Sequence, residues 1–151
     1  MEHFEHFSSE IRLVQTDARS KIPSKAHTGD AGWDLYAMDT LILRAHEVAL
    51  FDTGWKIALP TNKVGLICPR SGMMKKFGIT VGNAPGIIDA GYRGMLGVLL
   101  LNTNEYKAIE ITAGDRIAQL VITDIPTTHI AVVDDFEETD RGQGGFGSTG
   151  D

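Results

Sequence analysis

The chain consists mainly of short apolar runs, many of them four to eight residues long, separated by Gly, Pro, Asn and Asp. Runs of this length that are rich in Val, Ile and Leu are typical of β-strands, and their spacing is typical of a sandwich or barrel. Long amphipathic windows, which a parallel βαβ sheet requires, do not occur. Only Ser71–Phe77 has a helical pattern. The sequence therefore predicts an all-β fold with one short helix.

Some of the predicted strands are apolar on both faces, notably Met95–Leu101 and Ile117–Ile122. Strands covered on both sides have this composition, either in the core of a monomer or at a subunit contact, and both possibilities stay open here. The full set of predicted strands is Ile11–Val14, Trp33–Tyr36, Glu47–Phe51, Gly54–Leu59, Val64–Cys68, Ile79–Val81, Met95–Asn102, Ala108–Ile111, Ile117–Thr123 and Ile130–Asp134.

Length and charge exclude several classes of protein. With 151 residues the chain is expected to form one domain, and its net charge of −6 argues against non-specific binding of nucleic acid. Cys68 is the only cysteine, so an internal disulfide is impossible. The longest apolar run, Met95–Leu101, is too short to span a bilayer. We expect a soluble, cytoplasmic protein with no membrane partner.

The C-terminal region differs in composition from the rest. Residues 134–140 are acidic, and residues 141–151 are rich in glycine, so this end has too little apolar area to order itself. We expect a β domain over residues 1–140 and a flexible tail over residues 141–151.

Gly142, Gly144 and Gly147 match G-x-G-x-x-G, but only four residues follow, so no helix could complete a dinucleotide site.

Polar residues stand beside glycines at the ends of several β runs. These segments are Ala31–Ala37, Pro69–Gly72, Asn83–Gly94 and Gly114–Leu120. Each has an ordinary structural interpretation when taken alone. Asp34 would face solvent by strand alternation, Ser71 would be a helix N-cap, and Gln119 would be a hydrogen-bonded core residue.

Taken together in their order, the segments AGWDLYA, PRSG, NAPGIIDAGYRG, GDRIAQL and RGQGGFGSTG resemble the five motifs of the trimeric dUTPase family. The resemblance extends from Ala31 to Gly150. The related dCTP deaminases share the second and fourth motifs, but they carry a glutamate that shuttles protons where this chain has Leu99. The resemblance therefore favours the hydrolase.

The resemblance implies a distorted jelly-roll β-barrel or sandwich of short, mixed strands that assembles as a homotrimer. The family hydrolyses dUTP to dUMP and pyrophosphate with Mg²⁺, which keeps uracil out of DNA and supplies dUMP for dTMP synthesis. Each active site is expected to combine motifs one, two and four of one chain, motif three of the next, and motif five of the third. The substrate dUTP and the other two subunits are the expected partners, with no nucleic acid.

The resemblance also assigns roles to residues of the third motif. Asp89 matches the catalytic aspartate that activates water, and Tyr92 the tyrosine that packs on deoxyribose and leaves no room for a 2′-hydroxyl. Uracil would be bound by Asn83, Gly86, Ile87 and Ile88, with a further contact at Gly97. One departure is Gly91, where many members carry an acidic residue; other members share the sequence DAGYRG.

The remaining motifs imply contacts with phosphate and metal. The expected phosphate contacts are Arg70, Ser71, Gly72 and Gln119, with Arg141, Gly147 and Ser148 in the tail. Phe146 matches an aromatic residue that stacks on uracil, and Asp34 matches the aspartate that holds Mg²⁺ through water. A binding module on the same fold, in which catalysis is secondary, remains the alternative; the complete motif set favours the enzyme.

Overall fold

The computed structural model describes residues 10–145, which form ten strands and one helix. No helix within this range is long and apolar enough to cross a membrane. The elements are β1 (Arg12–Gln15), β2 (Gly32–Tyr36), β3 (Leu41–Leu43), β4 (Val48–Ala58), β5 (Lys63–Cys68), α1 (Ser71–Phe77), β6 (Ile79–Val81), β7 (Gly86–Ile88), β8 (Met95–Asn102), β9 (Ile109–Ile111) and β10 (Arg116–Asp124).

The strands form two four-stranded sheets and one two-stranded ribbon. The sheet orders are β1-β4-β8-β6 and β2-β10-β5-β7, and the ribbon pairs β3 with β9. Both large sheets are open, so among residues 10–145 the barrel alternative is wrong and a sandwich-like arrangement is found. Every strand pair in this range is antiparallel, so the expected mixture of strand directions is also wrong. Parallel neighbours usually need a helical crossover, and α1 alone is too short to provide several.

One hydrophobic cluster joins the two large sheets. It includes Leu35 of β2 and Leu120 of β10 from one sheet, and Leu96 and Leu100 of β8 from the other. Burial alternates strictly along β8, so one face of this strand fills the core while the other is half-buried. Packing within one chain therefore accounts for the apolar residues on one face of β8 but not for those on its half-buried face.

Most predicted elements are confirmed, and the exceptions have physical causes. The runs predicted at 47–51 and 54–59 form one strand, β4, because the turn-like residues between them make a bulge rather than a break. The short strands β3 and β7 were not predicted; β7 begins at a glycine directly after Pro85, where the sequence indicates a turn. The strand predicted at Ile130–Asp134 is wrong, because Ile130 and Val132 are 96% and 97% exposed and have no strand beside them.

Asn102 ties the end of β8 to three other segments. Its side chain is fully buried, and its Nδ2 donates to the carbonyl oxygens of Leu43 at 2.9 Å and Lys107 at 2.8 Å. Its Oδ1 accepts from the backbone N–H and the Nδ2 of Asn104, and that Nδ2 also donates to the carbonyl of Phe77 at the end of α1. One amide therefore satisfies four partners and fixes the position of the helix.

We expect Asn102→Ala to lower the free energy of unfolding by about 3 kcal/mol, because several buried partners lose their hydrogen bonds at once. Asn62→Ala is a matched control, since the side-chain oxygen of Asn62 is buried without a hydrogen-bond partner. Urea denaturation of both variants measures the difference. Equal and small losses in the two variants would contradict the role given to Asn102.

Candidate active site

Strand β10 brings three separate segments of the chain side by side. It lies between β2 and β5, and Gln119 is paired with Asp34 on one side and with Cys68 on the other. Because Pro69–Gly72 follows β5 directly, the register places this segment next to Asp34 and Gln119. Antiparallel pairing alone therefore assembles the first, second and fourth sequence motifs.

Asp34 and two arginines form a charged group in this region. The Arg70 Nε atom lies 2.8 Å from Asp34 Oδ1, and an Arg116 Nη1 atom lies 3.7 Å from Asp34 Oδ2. Arg70 also donates to the backbone carbonyl of Arg116 at 3.2 Å. The Asp34 side chain is 16% exposed, so the simple interpretation of a solvent-facing carboxylate is wrong. Its role here is to hold the Arg70 guanidinium in a fixed orientation.

Gln119 is held against a glycine on the neighbouring strand. Its Nε2 donates to the carbonyl of Pro69 at 2.9 Å. A Cβ atom on Gly32 would lie 2.4 Å from Gln119 Oε1 and 3.0 Å from its Cβ. The glycine is therefore required by close approach, since any larger residue would displace the carboxamide.

Helix α1 begins directly after these strands. Arg70 is its N-cap residue, and no side chain caps it, so the interpretation of Ser71 as the N-cap is wrong. Ser71 is the first residue of the helix, and its hydroxyl is not committed to a capping bond. Gly78 ends the helix in the left-handed region, with φ of 66°, where its N–H donates to the carbonyl of Met74.

These groups line a first cleft of about 410 Å³. It contains five predicted site residues and three polar residues that the sequence analysis did not select, namely Arg116, His27 and Asp30. Arg116 stands in the fourth motif, where its charge beside the predicted Gln119 was the available signal. The lining residues are Ala26, His27, Asp30, Ala31, Gly32, Asp34, Arg70, Ser71, Gly72, Arg116 and Gln119.

A second cleft of about 330 Å³ lies beside β7, the edge strand of its sheet. Strand β7 pairs with β5 through Ile67, Leu66 and Gly65. All seven residues predicted from the third motif and from Gly97 line this cleft, together with four apolar residues that were not predicted. The lining residues are Leu50, Ile67, Asn83, Gly86, Ile87, Ile88, Asp89, Tyr92, Met95, Gly97 and Leu99.

Tyr92 lies in the turn between β7 and β8, and hydrogen bonds to other residues of this region hold it in place. The Tyr92 hydroxyl donates to the carbonyl of Met95 at 2.8 Å, and its backbone N–H donates to the carbonyl of Asp89 at 3.0 Å. Arg93 donates to the carbonyls of Ala90 and Tyr92 at 2.6 and 2.7 Å. Arg93 therefore stabilises the turn from within.

The two clefts have no lining residue in common. Asp89 and Tyr92 line one, whereas Arg70 and Gln119 line the other. Arg141 lines neither, and its Nε donates to the carbonyl of Gly144 at 3.1 Å. The predicted residues Phe146, Gly147 and Ser148 lie outside the described range.

Within residues 10–145 no cluster of three or more His, Cys, Asp or Glu side chains could hold a metal ion. Asp34 is the carboxylate predicted to face a metal, and both of its oxygens are engaged by arginines. This donor set does not suit a metal bound by protein alone. It fits Mg²⁺ that is carried by the oxygens of a bound phosphate group and its own waters.

The fold and the clefts define a mainly β protein in which Arg70 and Arg116 line the first cleft and Asp89 and Tyr92 line the second. A model of the dUTPase family matches residues 18–150, and relatives more than 40% identical span nearly the whole chain. The chain belongs to the dUTPase family.

Two relatives illustrate the sequence similarity. The deoxyuridine 5′-triphosphate nucleotidohydrolase of Corynebacterium glutamicum is 44% identical over 140 residues, covering 93% of this chain and 94% of the relative. The protein of the same name from Mycobacterium marinum is 42% identical over 148 residues, covering 95% and 96%.

Solved structures of phage dUTPases have the same fold. The dUTPase of Staphylococcus bacteriophage 80alpha with dUpNHpp superimposes with a TM-score of 0.88 at 31% identity, covering 95% of this chain and 99% of that one. A variant dUTPase of phage phi11 of S. aureus, described with a structural Mg(II) ion, gives 0.78 at 28% identity, covering 85% and 99%.

We expect Gly32→Ala to lower kcat/KM for dUTP by roughly tenfold or more, because the new methyl group displaces the Gln119 carboxamide and breaks its bond to Pro69. Gly29→Ala is the matched control, since a Cβ at Gly29 meets nothing within 4 Å. Steady-state kinetics on both variants test this. An unaffected Gly32→Ala enzyme would mean that the position of Gln119 is unimportant.

Proposed function

We propose that this protein hydrolyses dUTP to dUMP and pyrophosphate, as a dUTP diphosphatase. The observation that carries the proposal is the convergence of Asn83, Asp89 and Tyr92 in one cleft of a chain that belongs to the dUTPase family. The activity removes dUTP, which keeps uracil out of DNA, and supplies dUMP for dTMP synthesis. We place it in the cytoplasm, with free nucleotide as its partner.

In this proposal Asp89 is the general base. Its carboxylate follows β7 directly and lines the second cleft. It takes a proton from a water molecule as the water oxygen bonds to the α-phosphorus, and the bond from that phosphorus to the β-bridging oxygen breaks. Pyrophosphate leaves with the bonding electrons. A carboxylate within hydrogen-bond reach of the water is what general-base catalysis requires.

Uracil would be recognised by Asn83 and the backbone of β7. Among residues 10–145, β7 is an edge strand that pairs on one side only, with β5. The other edge can pair with the polar edge of a pyrimidine, as a further strand would. Gly86 gives the Asn83 side chain room, because a Cβ there would lie 3.4 Å from Asn83 Nδ2 and 3.3 Å from the Cβ of Ile67 on the paired strand β5.

Tyr92 would select deoxyribose over ribose. Its ring lines the same cleft as β7, and its hydroxyl is committed to the carbonyl of Met95. A ring fixed in this way forms a wall that leaves no room for a 2′-hydroxyl, so selectivity arises from steric exclusion. Gly97, which also lines the cleft, would add a backbone contact.

The first cleft would bind the phosphates. Arg70, Ser71, Gly72 and Gln119 lie together there, and guanidinium and hydroxyl groups are strong partners for phosphate oxygens. The family uses Mg²⁺, which would be held by the substrate phosphates and, through water, by Asp34. When bound it supplies positive charge to the triphosphate and its leaving group.

We propose that three copies of the chain assemble and share their active sites. The separation of the phosphate and nucleoside residues into two clefts supports this, because neither cleft is complete alone. An apolar surface supports it as well: Val48 and Leu50 of β4 are 52% and 57% exposed and pair with Leu101 and Leu99 of β8. Such a sheet face is suited to a subunit interface.

Residues 141–151 would form the tail that completes the site on a domain of residues 1–140. Arg141, Gly147 and Ser148 would contact the γ-phosphate, and Phe146 would stack on uracil. The family model, which extends to residue 150, supports including this segment. Its ordering on the substrate would exclude water from the reaction.

A regulatory role is the second candidate. The phage 80alpha relative is one of the phage dUTPases that are described as controlling the transfer of virulence genes. Nucleotide-dependent binding of a protein partner would use the same clefts with catalysis secondary. The presence of Asp89 and the other motif residues favours hydrolysis as the main activity.

We expect Asp89→Asn to lower kcat for dUTP by roughly 10³-fold or more while the nucleotide still binds, because only the base is lost. Pyrophosphate release measures turnover, and calorimetry with a non-hydrolysable analogue measures binding. Asp124→Asn, on the exposed end of β10, is a control that should retain full activity. Near-normal turnover by Asp89→Asn would refute the base assignment.

A further inference from the structure

Thr53 is an unusual residue for its position in the fold. Among residues 10–145 only two polar side chains are buried, those of Thr53 and Asn102. Asn102 is accounted for by its four hydrogen-bond partners. Thr53 is 1% exposed near the middle of β4, and its hydroxyl makes one hydrogen bond, donating to the carbonyl of Leu96 at 2.6 Å.

The hydrogen bond lies at the bulge between β4 and β8. Asp52 pairs with Gly97 and Lys56 pairs with Met95, so four steps along β4 match two along β8. Leu96 therefore has no Cα partner on β4 in this register, and its carbonyl accepts a hydrogen bond from the hydroxyl of Thr53. Gly54, with φ of 76°, gives the bulge its shape.

The preceding carbonyl of β8, that of Met95, holds Tyr92. The carbonyl of Leu96 accepts from the Thr53 hydroxyl, and the carbonyl of Met95 accepts from the Tyr92 hydroxyl. The carbonyls of the first two residues of β8 are thus each held by a side-chain hydroxyl, one from the buried Thr53 and one from Tyr92, which lines the second cleft. A shift of this backbone would move the acceptor of the Tyr92 hydroxyl.

The ring of Tyr92 has little freedom to compensate for such a shift. A Cβ on Gly94 would lie 2.5 Å from the Tyr92 hydroxyl oxygen and 2.6 Å from the ring carbon that carries it. The ring is therefore packed directly on the backbone that precedes Met95. Its position in the cleft follows the position of that backbone.

We propose that Thr53 is a positioning residue for sugar selectivity. By holding the carbonyl of Leu96, its hydroxyl fixes the start of β8, and the carbonyl of Met95 then fixes the Tyr92 ring where it excludes a 2′-hydroxyl. This inference rests on the proposed function of Tyr92. It assigns a part of the selectivity to a buried residue that does not line the cleft.

Thr53→Val tests the inference, because it keeps the shape of the side chain and removes the hydroxyl. We expect the ratio of kcat/KM for dUTP to that for UTP to fall by roughly tenfold, through weaker dUTP binding and better use of UTP. Thr53→Ser, which retains a hydroxyl, should keep most of the ratio. Ile79→Val, fully buried in β6, controls for a general loss of core packing and should leave the ratio unchanged.

Tyr92→Phe breaks the same chain of contacts at an exposed position, and it is the variant to use if Thr53→Val does not fold. It should lower the ratio as Thr53→Val does, and adding Thr53→Val to it should cause little further loss. An unchanged ratio in Thr53→Val or in Tyr92→Phe would overturn the inference. Absence of dUTP hydrolysis by the unmodified protein would instead refute the proposed function.

Discussion

The pairing of β10 with β2 and β5 is the constraint on which the first cleft depends. It places Gln119 between Asp34 and Cys68, and so brings the segment after β5 to the carboxylate that orients Arg70. Segments far apart in the sequence meet because a central antiparallel strand has two neighbours. The glycine at position 32 belongs to the same constraint, since the close contact with Gln119 leaves no space for a side chain.

The second cleft lies beside β7, an edge strand whose outer side pairs with no other strand of the described residues 10–145. Strand β7 presents this edge beside Asp89 and Tyr92, but no residue of the first cleft lines it. The fold thus places the residues proposed to bind phosphate and those proposed to bind the nucleoside in separate clefts of one chain. We infer that assembly of several chains brings the two sets together, which would also cover the exposed apolar face of β4 and β8.

The sequence predicts much of this arrangement but not all of it. The sequence pattern located α1, β6 and β8 at their observed bounds, and the eight residues of β8 give a clear strand signal because most of them are apolar. It failed at β3 and β7, and at Ile130–Asp134, where a β-type composition has no partner strand among residues 10–145. The motifs indicated which residues share a cleft. They could not reveal the pairing of Asp34 with Arg70, since side-chain partners depend on register.

Complementation between two inactive variants tests the shared site most directly. Arg70→Gln disables the first cleft and Asp89→Asn the second, so we expect each variant alone to be inactive. Co-expressed with different affinity tags and purified through both, they should regain about one third of normal dUTP turnover, because one site in each mixed trimer is intact. Mixed assemblies that stay as inactive as the single variants would contradict a site formed between chains.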